Sequence, residues 1–245
     1  MARCRCIGVP SAFHATMSDG FVSGLRPFIH ILMPRRCLQC AALLREAVPL
    51  CRECCGILET CVIPAIELPG STVEGRPVVA TSYYRGGSPL RAVHRAAKYD
   101  QNVRCATWLA TYLIEQLQIP EGVEACVPVP SHPARLMDRG LDVVRLLTEH
   151  LAGHLGCSFR PGMLIRTRLG TPQNELDRGH RLANVKAAFA SGHDPGRPFR
   201  ILLVDDVVTT GATLDACAAL LEERGHTVHL AALAFRRELF GSDQR

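Results

Sequence analysis

The run Ile201-Leu-Leu-Val-Asp-Asp-Val-Val-Thr-Thr-Gly-Ala-Thr213 restricts the folds open to this chain more than any other segment. Ile201 to Val204 is apolar without alternation, the pattern of a parallel strand buried on both faces. That strand is expected to end in two adjacent carboxylates, Asp205 and Asp206. Thr209, Thr210, Gly211, Ala212 and Thr213 follow as a loop of small and hydroxyl residues, and Leu214 to Leu221 carries a helix pattern. Strand, acidic pair, loop and helix in this order place a site at the carboxyl end of an α/β sheet. Loop amides and threonine hydroxyls, backed by a helix N-terminus, suit a phosphate dianion. Two carboxylates beside that cradle suit vicinal sugar hydroxyls and a divalent metal. The plainer alternative is a buried strand whose terminal acids merely cap the next helix.

The rest of the chain supports the same class. Its 245 residues, 47% of them hydrophobic, suffice for a full α/β core and a small appendage. Val78 to Tyr84 reads as a strand, Leu90 to Lys98 as a basic helix and Val103 to Leu117 as a longer one. Cys126 to Pro130 is a short strand stopped by prolines, Leu141 to Leu155 a helix and Leu164-Ile165 another short strand. Glu175 to Val185 reads as a charged helical segment, and Thr227 to Phe235 as a final strand. Alternating strands and helices imply a doubly wound parallel sheet. Phe21, Val22, Leu25, Phe28, Ile29 and Leu32 recur at helical spacing, preceded before Met17 by what is expected to be a disordered lead.

Six of the twelve cysteines crowd one window: Cys37, Cys40, Cys51, Cys54, Cys55 and Cys61. Cys37-x-x-Cys40 and Cys51-x-x-Cys54, ten residues apart, have the spacing of a zinc knuckle in which two thiolate pairs close a tetrahedron. Such a site has no open position, so the metal would hold structure and not perform chemistry. Cys55 can substitute for Cys54, Cys61 has no assigned role, and a metal-free or redox cluster is the alternative. Cys105, Cys126, Cys157 and Cys217 sit singly in apolar segments and read as core residues. Pro64, Pro69, Gly70, Gly75 and Pro77 mark a linker after the cluster. The expected division is a lead and helix over 1–33, a zinc-ribbon-like module over 34–63 and a larger domain over 76–240.

A net charge of +5 and a pI near 8.7 fit an anionic ligand and permit nucleic acid. Aromatic residues are only 5%, which argues against base stacking as the main business of the fold. No apolar run reaches the roughly 18 residues of a membrane span, and no signal-peptide stretch follows the basic first residues. A cytoplasmic protein is expected.

The Asp205-to-Thr213 segment resembles the phosphoribosyl pyrophosphate (PRPP) motif of type I phosphoribosyltransferases. The resemblance implies that the acids take the ribose hydroxyls and the loop takes the 5′-phosphate. With the cysteine module, the chain from about Pro34 to Arg236 resembles the ComF family. Further matches are Tyr84-Arg85-Gly86, Ala97-Lys98-Tyr99, Val127 to Arg135 with Arg139-Gly140, and Arg166, Thr171, Gln173, Arg178, Asn184 and Phe189. One departure stands out: family members usually continue arginine-glycine with Phe-Asn-Gln, where this chain has Leu141-Asp142-Val143. The PRPP half also looks like the synthase-side domain of glutamine PRPP amidotransferases, but no glutaminase domain with a nucleophilic cysteine fits here.

The resemblance implies a type I phosphoribosyltransferase-like α/β fold with an N-terminal four-cysteine zinc module. It implies PRPP or ribose 5-phosphate as ligand, with Mg²⁺, and transfer of a phosphoribosyl group to an unidentified acceptor. Ser131, His132, Arg135 and Arg139 follow a strand end and are candidates for the pyrophosphate. Arg166, Arg168, Arg178, His180 and Arg181 lie on a segment able to fold over the site, and Gln173 joins them through the family match alone. Against this, His132 can be a merely exposed loop histidine, and the arginines can pair along a solvated helix with Glu175 and Asp177. The second functional class is a non-catalytic scaffold in DNA uptake. Its partners would be single-stranded DNA and a helicase-like ATPase, met through the zinc module. Arg35, Arg36, Arg45 and Arg52 around the cysteines, and Arg91, Arg95, Lys98 and Arg104 beyond Tyr84, would supply the basic face.

Overall fold

Arg200–Val208 is the inner strand around which the chain is wound in the computed structural model, which describes residues 35–59, 66–67, 77–133, 136–137, 140–167, 188–193 and 195–236. In chain order the described elements begin with helix α1 (Arg52–Glu59), strands β1 (Ile66–Glu67) and β2 (Pro77–Tyr83), and helices α2 (Pro89–Tyr99) and α3 (Val103–Gln116). Strand β3 (Ala125–Pro128), helix α4 (Val143–Leu155) and strands β4 (Ser158–Phe159), β5 (Leu164–Arg166) and β6 (Phe189–Ser191) follow. Strand β7 (Arg200–Val208), helix α5 (Ala212–Glu222) and strand β8 (Thr227–Phe235) complete the set.

Six strands form one sheet in the order β1-β2-β8-β7-β3-β4. All neighbours in it are parallel except β1, which pairs antiparallel with β2. β5 and β6 make a separate antiparallel pair. The unbroken apolar run of β7 has a direct cause in this arrangement. Leu202 and Val204 pack with α2, α3 and α4 on one face, while Ile201 and Leu203 pack with α5, β5 and β6 on the other. A strand covered on both sides has no solvent face on which to place a polar residue.

Helix starts follow their capping chemistry. Ser88 accepts a hydrogen bond from the Arg91 amide, with Pro89 opening α2; Asn102 accepts from Cys105 at the start of α3. Asp142 caps α4, which ends at Gly156 in the left-handed conformation with φ 65°. α5 is different. Its N-cap is Gly211, with φ 81° and no side chain to offer, so the first amides keep no side-chain acceptor beyond a 3.5 Å contact from Ala212 N to Thr210 Oγ1.

Several expectations change. β7 does not stop at the carboxylates: it runs through Asp205 and Asp206 to Val208, because β8 is equally long and pairs Asp205 with Ala232, Val207 with Ala234 and Val208 with Phe235. The expected linker contains β1, which folds back on β2. β4 and β6, of two and three residues, are too short to leave a periodic signature. The helix expected over Phe21 to Leu32 and the charged helix over Glu175 to Val185 lie outside the described residues. Among the described residues no helix is long and apolar enough to cross a membrane.

The cysteine segment joins the main core. Leu50 and Leu58, each 1% exposed, belong to the same apolar cluster as Leu90 of α2 and Trp108 of α3. The Gln39 amide also donates to the Gly87 carbonyl at 2.7 Å, just before the Ser88 cap.

Candidate functional site

β7 delivers the acidic pair to the carboxyl edge of the sheet, and α2 meets it there. Asp206 is buried, and its Oδ2 lies 3.1 Å from His94 Nε2 and forms an ion pair with the Lys98 ammonium. His94 and Lys98 stand one helical turn apart on α2, so both reach the same carboxylate. His94 Nδ1 lies 3.1 Å from the Tyr84 hydroxyl. A ring with its proton on Nε2 donates to Asp206 and accepts from Tyr84, which satisfies both nitrogens. The ring is thereby fixed between two elements.

The two acids are driven apart electrostatically. Burial works to raise the Asp206 carboxyl, but the His94 hydrogen bond and the Lys98 charge outweigh it and hold that group well below the usual carboxylate range. Burial first, and then the neighbouring Asp206 charge, push Asp205 up to about 7. Asp206 is therefore a fixed anion, whereas Asp205 changes charge near neutrality.

A cleft of about 260 Å³ opens onto this pair. Lys98, Ser131, His132, Arg166, Asp205, Asp206 and Thr213 line it. The loop after β3 thus faces the loop after β7 across the cleft, as sheet topology requires of neighbouring parallel strands. His132 Nδ1 is buried without a hydrogen-bond partner among the described residues. The Arg166 guanidinium sits 5.0 Å over the Phe189 ring, held at the cleft by β5 and β6. Ser131 is tied back: its hydroxyl donates to Asp142 Oδ1 at 3.0 Å, the same oxygen that caps α4.

Asp142 and Val143 stand where the resemblance leads us to expect Asn-Gln. The acid retains the capping oxygen that an asparagine would supply, and Val143 is buried in the core and lines the cleft. Of the other expected residues, Thr209 and Thr210 are exposed and Gly211 is buried between the end of β7 and α5. Arg135, Arg139, Gln173 and Arg178 lie outside the described residues. Lys98 does not belong to a solvated basic face: it is engaged by Asp206. Sequence reasoning missed His94, although its four-residue spacing to Lys98 was the available signal.

The cysteines expected to bind metal do converge. The sulfurs of Cys37, Cys40, Cys51 and Cys54 all lie within 4.8 Å of one another, with Cys40 and Cys51 3.6 Å apart. Four sulfurs about 2.3 Å from a tetrahedral zinc stand about 3.8 Å from each other, so the set fits that ion. Burial opposes a thiolate at Cys37, but amide hydrogen bonds from Cys40, Cys51 and Gln39 prevail and bring it down to about 6. Cys105, Cys126 and Cys217 are buried, and burial pushes each thiol up, to about 11 for Cys105. They behave as core residues.

Fold and site together define a phosphoribosyltransferase-like α/β protein carrying a four-cysteine module. The phosphoribosyl transferase domain family matches residues 197–243, the segment of β7, α5 and β8. The DNA utilization protein YhgH of Salmonella typhimurium is 31% identical over 205 residues, covering 77% of this chain and 85% of that protein. Competence protein F of Haemophilus influenzae is 33% identical over 112 residues, covering 45% of this chain and 48% of that protein. Glutamine PRPP amidotransferase from B. subtilis, solved with ADP and GMP, aligns with a TM-score of 0.37 at 20% identity. That alignment covers 52% of this chain and spans a quarter of the enzyme's length, 25%. The chain belongs to the ComF family.

Proposed function

We propose that the cleft binds PRPP or ribose 5-phosphate, and that the protein transfers the phosphoribosyl group to an acceptor. The observation that carries this reading is the fixed Asp206 carboxylate, held by His94 and Lys98, beside an α5 N-terminus that no side chain caps. Asp205 and Asp206 accept hydrogen bonds from the ribose hydroxyls. The amides and hydroxyls of Thr209 to Thr213 receive the 5′-phosphate. His132 and Arg166, facing them across the cleft, are placed for the pyrophosphate. In the transfer, a bond forms from the acceptor nucleophile to ribose C1 as the C1–O bond to pyrophosphate breaks, and pyrophosphate leaves with the electron pair. Mg²⁺ bound with PRPP beside Asp205 and Asp206 would offset charge on the leaving pyrophosphate. The four cysteines hold a structural zinc.

Calorimetry with PRPP and Mg²⁺, followed by a pyrophosphate-release screen across bases, tests the reading. Binding with micromolar affinity that weakens roughly 10- to 100-fold in Asp206→Asn supports it; no heat with PRPP or ribose 5-phosphate overturns it.

A second reading, a scaffold in DNA handling, is supported by the names of the two relatives and by exposed Arg36, Arg45 and Arg52 around the cysteines. Its contact would rest on phosphate neutralisation, so affinity for a poly-dT oligomer should fall steeply with salt. It should also survive Asp206→Asn. Absence of binding at low salt, measured by fluorescence anisotropy, ends that reading.

A further inference from the structure

A second cleft, of about 370 Å³, lies at the same carboxyl edge of the sheet, beyond β2 and β8. Tyr84, Gly86, Arg91, Arg95, Tyr99 and Arg236 line it. Arg91, Arg95 and Tyr99 succeed one another at one-turn intervals along α2, and Arg236 follows directly on β8. The Arg95 guanidinium lies 5.8 Å from the centre of the Tyr99 ring. Among the described residues no carboxylate forms an ion pair with Arg91, Arg95 or Arg236. Three guanidinium groups drawn to one concavity repel one another until an anion enters.

The position of the cleft gives this charge a meaning. Tyr84, which walls it, is the residue whose hydroxyl meets His94, and His94 meets Asp206 of the ribose site. Lys98 on the next strip of α2 faces the ribose site while Arg95 and Tyr99 face this one. The two clefts therefore share one helix as a common wall. Size, guanidinium forks and flanking aromatic rings together suit a flat ring bearing an oxyanion.

We propose that this arginine–tyrosine cleft is the acceptor subsite, taking a planar molecule that carries a carboxylate or phosphate group. The proposal rests on the neighbouring cleft being the phosphoribosyl site, and its test separates the two. The full-length protein is titrated by calorimetry with isophthalate, with its neutral diamide, with inorganic phosphate, with ribose 5-phosphate and with a dT oligomer. Isophthalate is expected to bind at least about tenfold more tightly than the diamide, since a charge-assisted guanidinium fork is lost with the carboxylates. Arg91→Gln combined with Arg95→Gln should weaken isophthalate at least about tenfold and leave ribose 5-phosphate affinity unchanged. Arg236→Gln, a substitution on a different element, should weaken isophthalate as well, which guards against a fold lesion in α2. Phosphate binding that needs these arginines, with no binding of isophthalate, supports the proposal and assigns the phosphate form of the acceptor. Phosphate binding indifferent to them belongs to the threonine loop; with no preference for isophthalate over the diamide, it overturns the proposal. A dT oligomer that binds through these arginines while isophthalate does not also overturns it, in favour of nucleic acid. Failure of ribose 5-phosphate alone to bind instead removes the phosphoribosyl reading on which the subsite depends.

Discussion

Asp206 joins the two halves of the site at a single carboxylate, because the residues that fix it come from α2 and the ligand it is proposed to hold lies beyond β7. Asp206→Asn keeps the size of the side chain but removes its charge, and costs a charge-assisted hydrogen bond of about 1.5–3 kcal/mol. Ribose 5-phosphate affinity measured by calorimetry should fall roughly 10- to 100-fold. Asp205 is expected to give binding a pH dependence of the same sign as any carboxylate acceptor, moved up into the neutral range. Burial and the Asp206 charge raise it to about 7, so it is protonated below that value and becomes a full hydrogen-bond acceptor above it. Affinity should therefore strengthen as pH rises from about 6 to 8. The phosphate of the ligand also titrates near pH 6, so the measurement is the difference between the wild-type profile and that of Asp205→Asn. Identical profiles would remove Asp205 from the binding step. The acids themselves were legible in the sequence because their motif is local, a strand followed by its own loop. His94 was not, because it meets Asp206 across 112 residues of chain. Only the folded sheet brings α2 over β7.

At the scale of elements, helices and long strands announced themselves through periodicity, and most of the short strands did not. β7 and β8, of nine residues each, carry enough apolar pattern to be read directly. The end of β7 was misplaced for a physical reason: adjacent acids look like a strand terminus, yet a long partner strand keeps the ladder going past them. Asp142 shows the value of reading a departure structurally. In sequence it is a lost amide; in the fold its Oδ1 accepts from both Arg145 N and Ser131 Oγ. Asp142→Ala should lower stability by about 1 kcal/mol through the lost cap, and it should free the Ser131 hydroxyl at the cleft. Asp142→Asn, which keeps an acceptor oxygen, should stay within about 0.5 kcal/mol of the wild type. Urea denaturation of the two variants checks the pair of values; equal loss in both would show that charge, not capping, is what matters there.

Among the described residues the six-stranded sheet has both faces covered, and the cysteine segment contributes to the helical face through Leu50 and Leu58. The purified protein should contain one zinc per chain by elemental analysis under reducing conditions, and a chelator should lower its thermal midpoint. Cys37→Ser should do the same, because removing one thiolate leaves an open shell around the ion. A cysteine segment that were only tethered would let the main core melt unchanged in either case.

The hydrogen bond from Gln39 to the Gly87 carbonyl gives this architecture a thermodynamic consequence. It fastens the knuckle to the turn from which α2 starts, and α2 carries both partners of Asp206. Zinc at the cysteines and a sugar phosphate at the acids would then stabilise the same seating of one helix. Linkage makes such an effect reciprocal: if the ion tightens the sugar phosphate, the sugar phosphate must hold the ion by the same factor. Saturating ribose 5-phosphate should therefore reduce equilibrium loss of zinc to a competing chelator, and Gln39→Ala should uncouple the two.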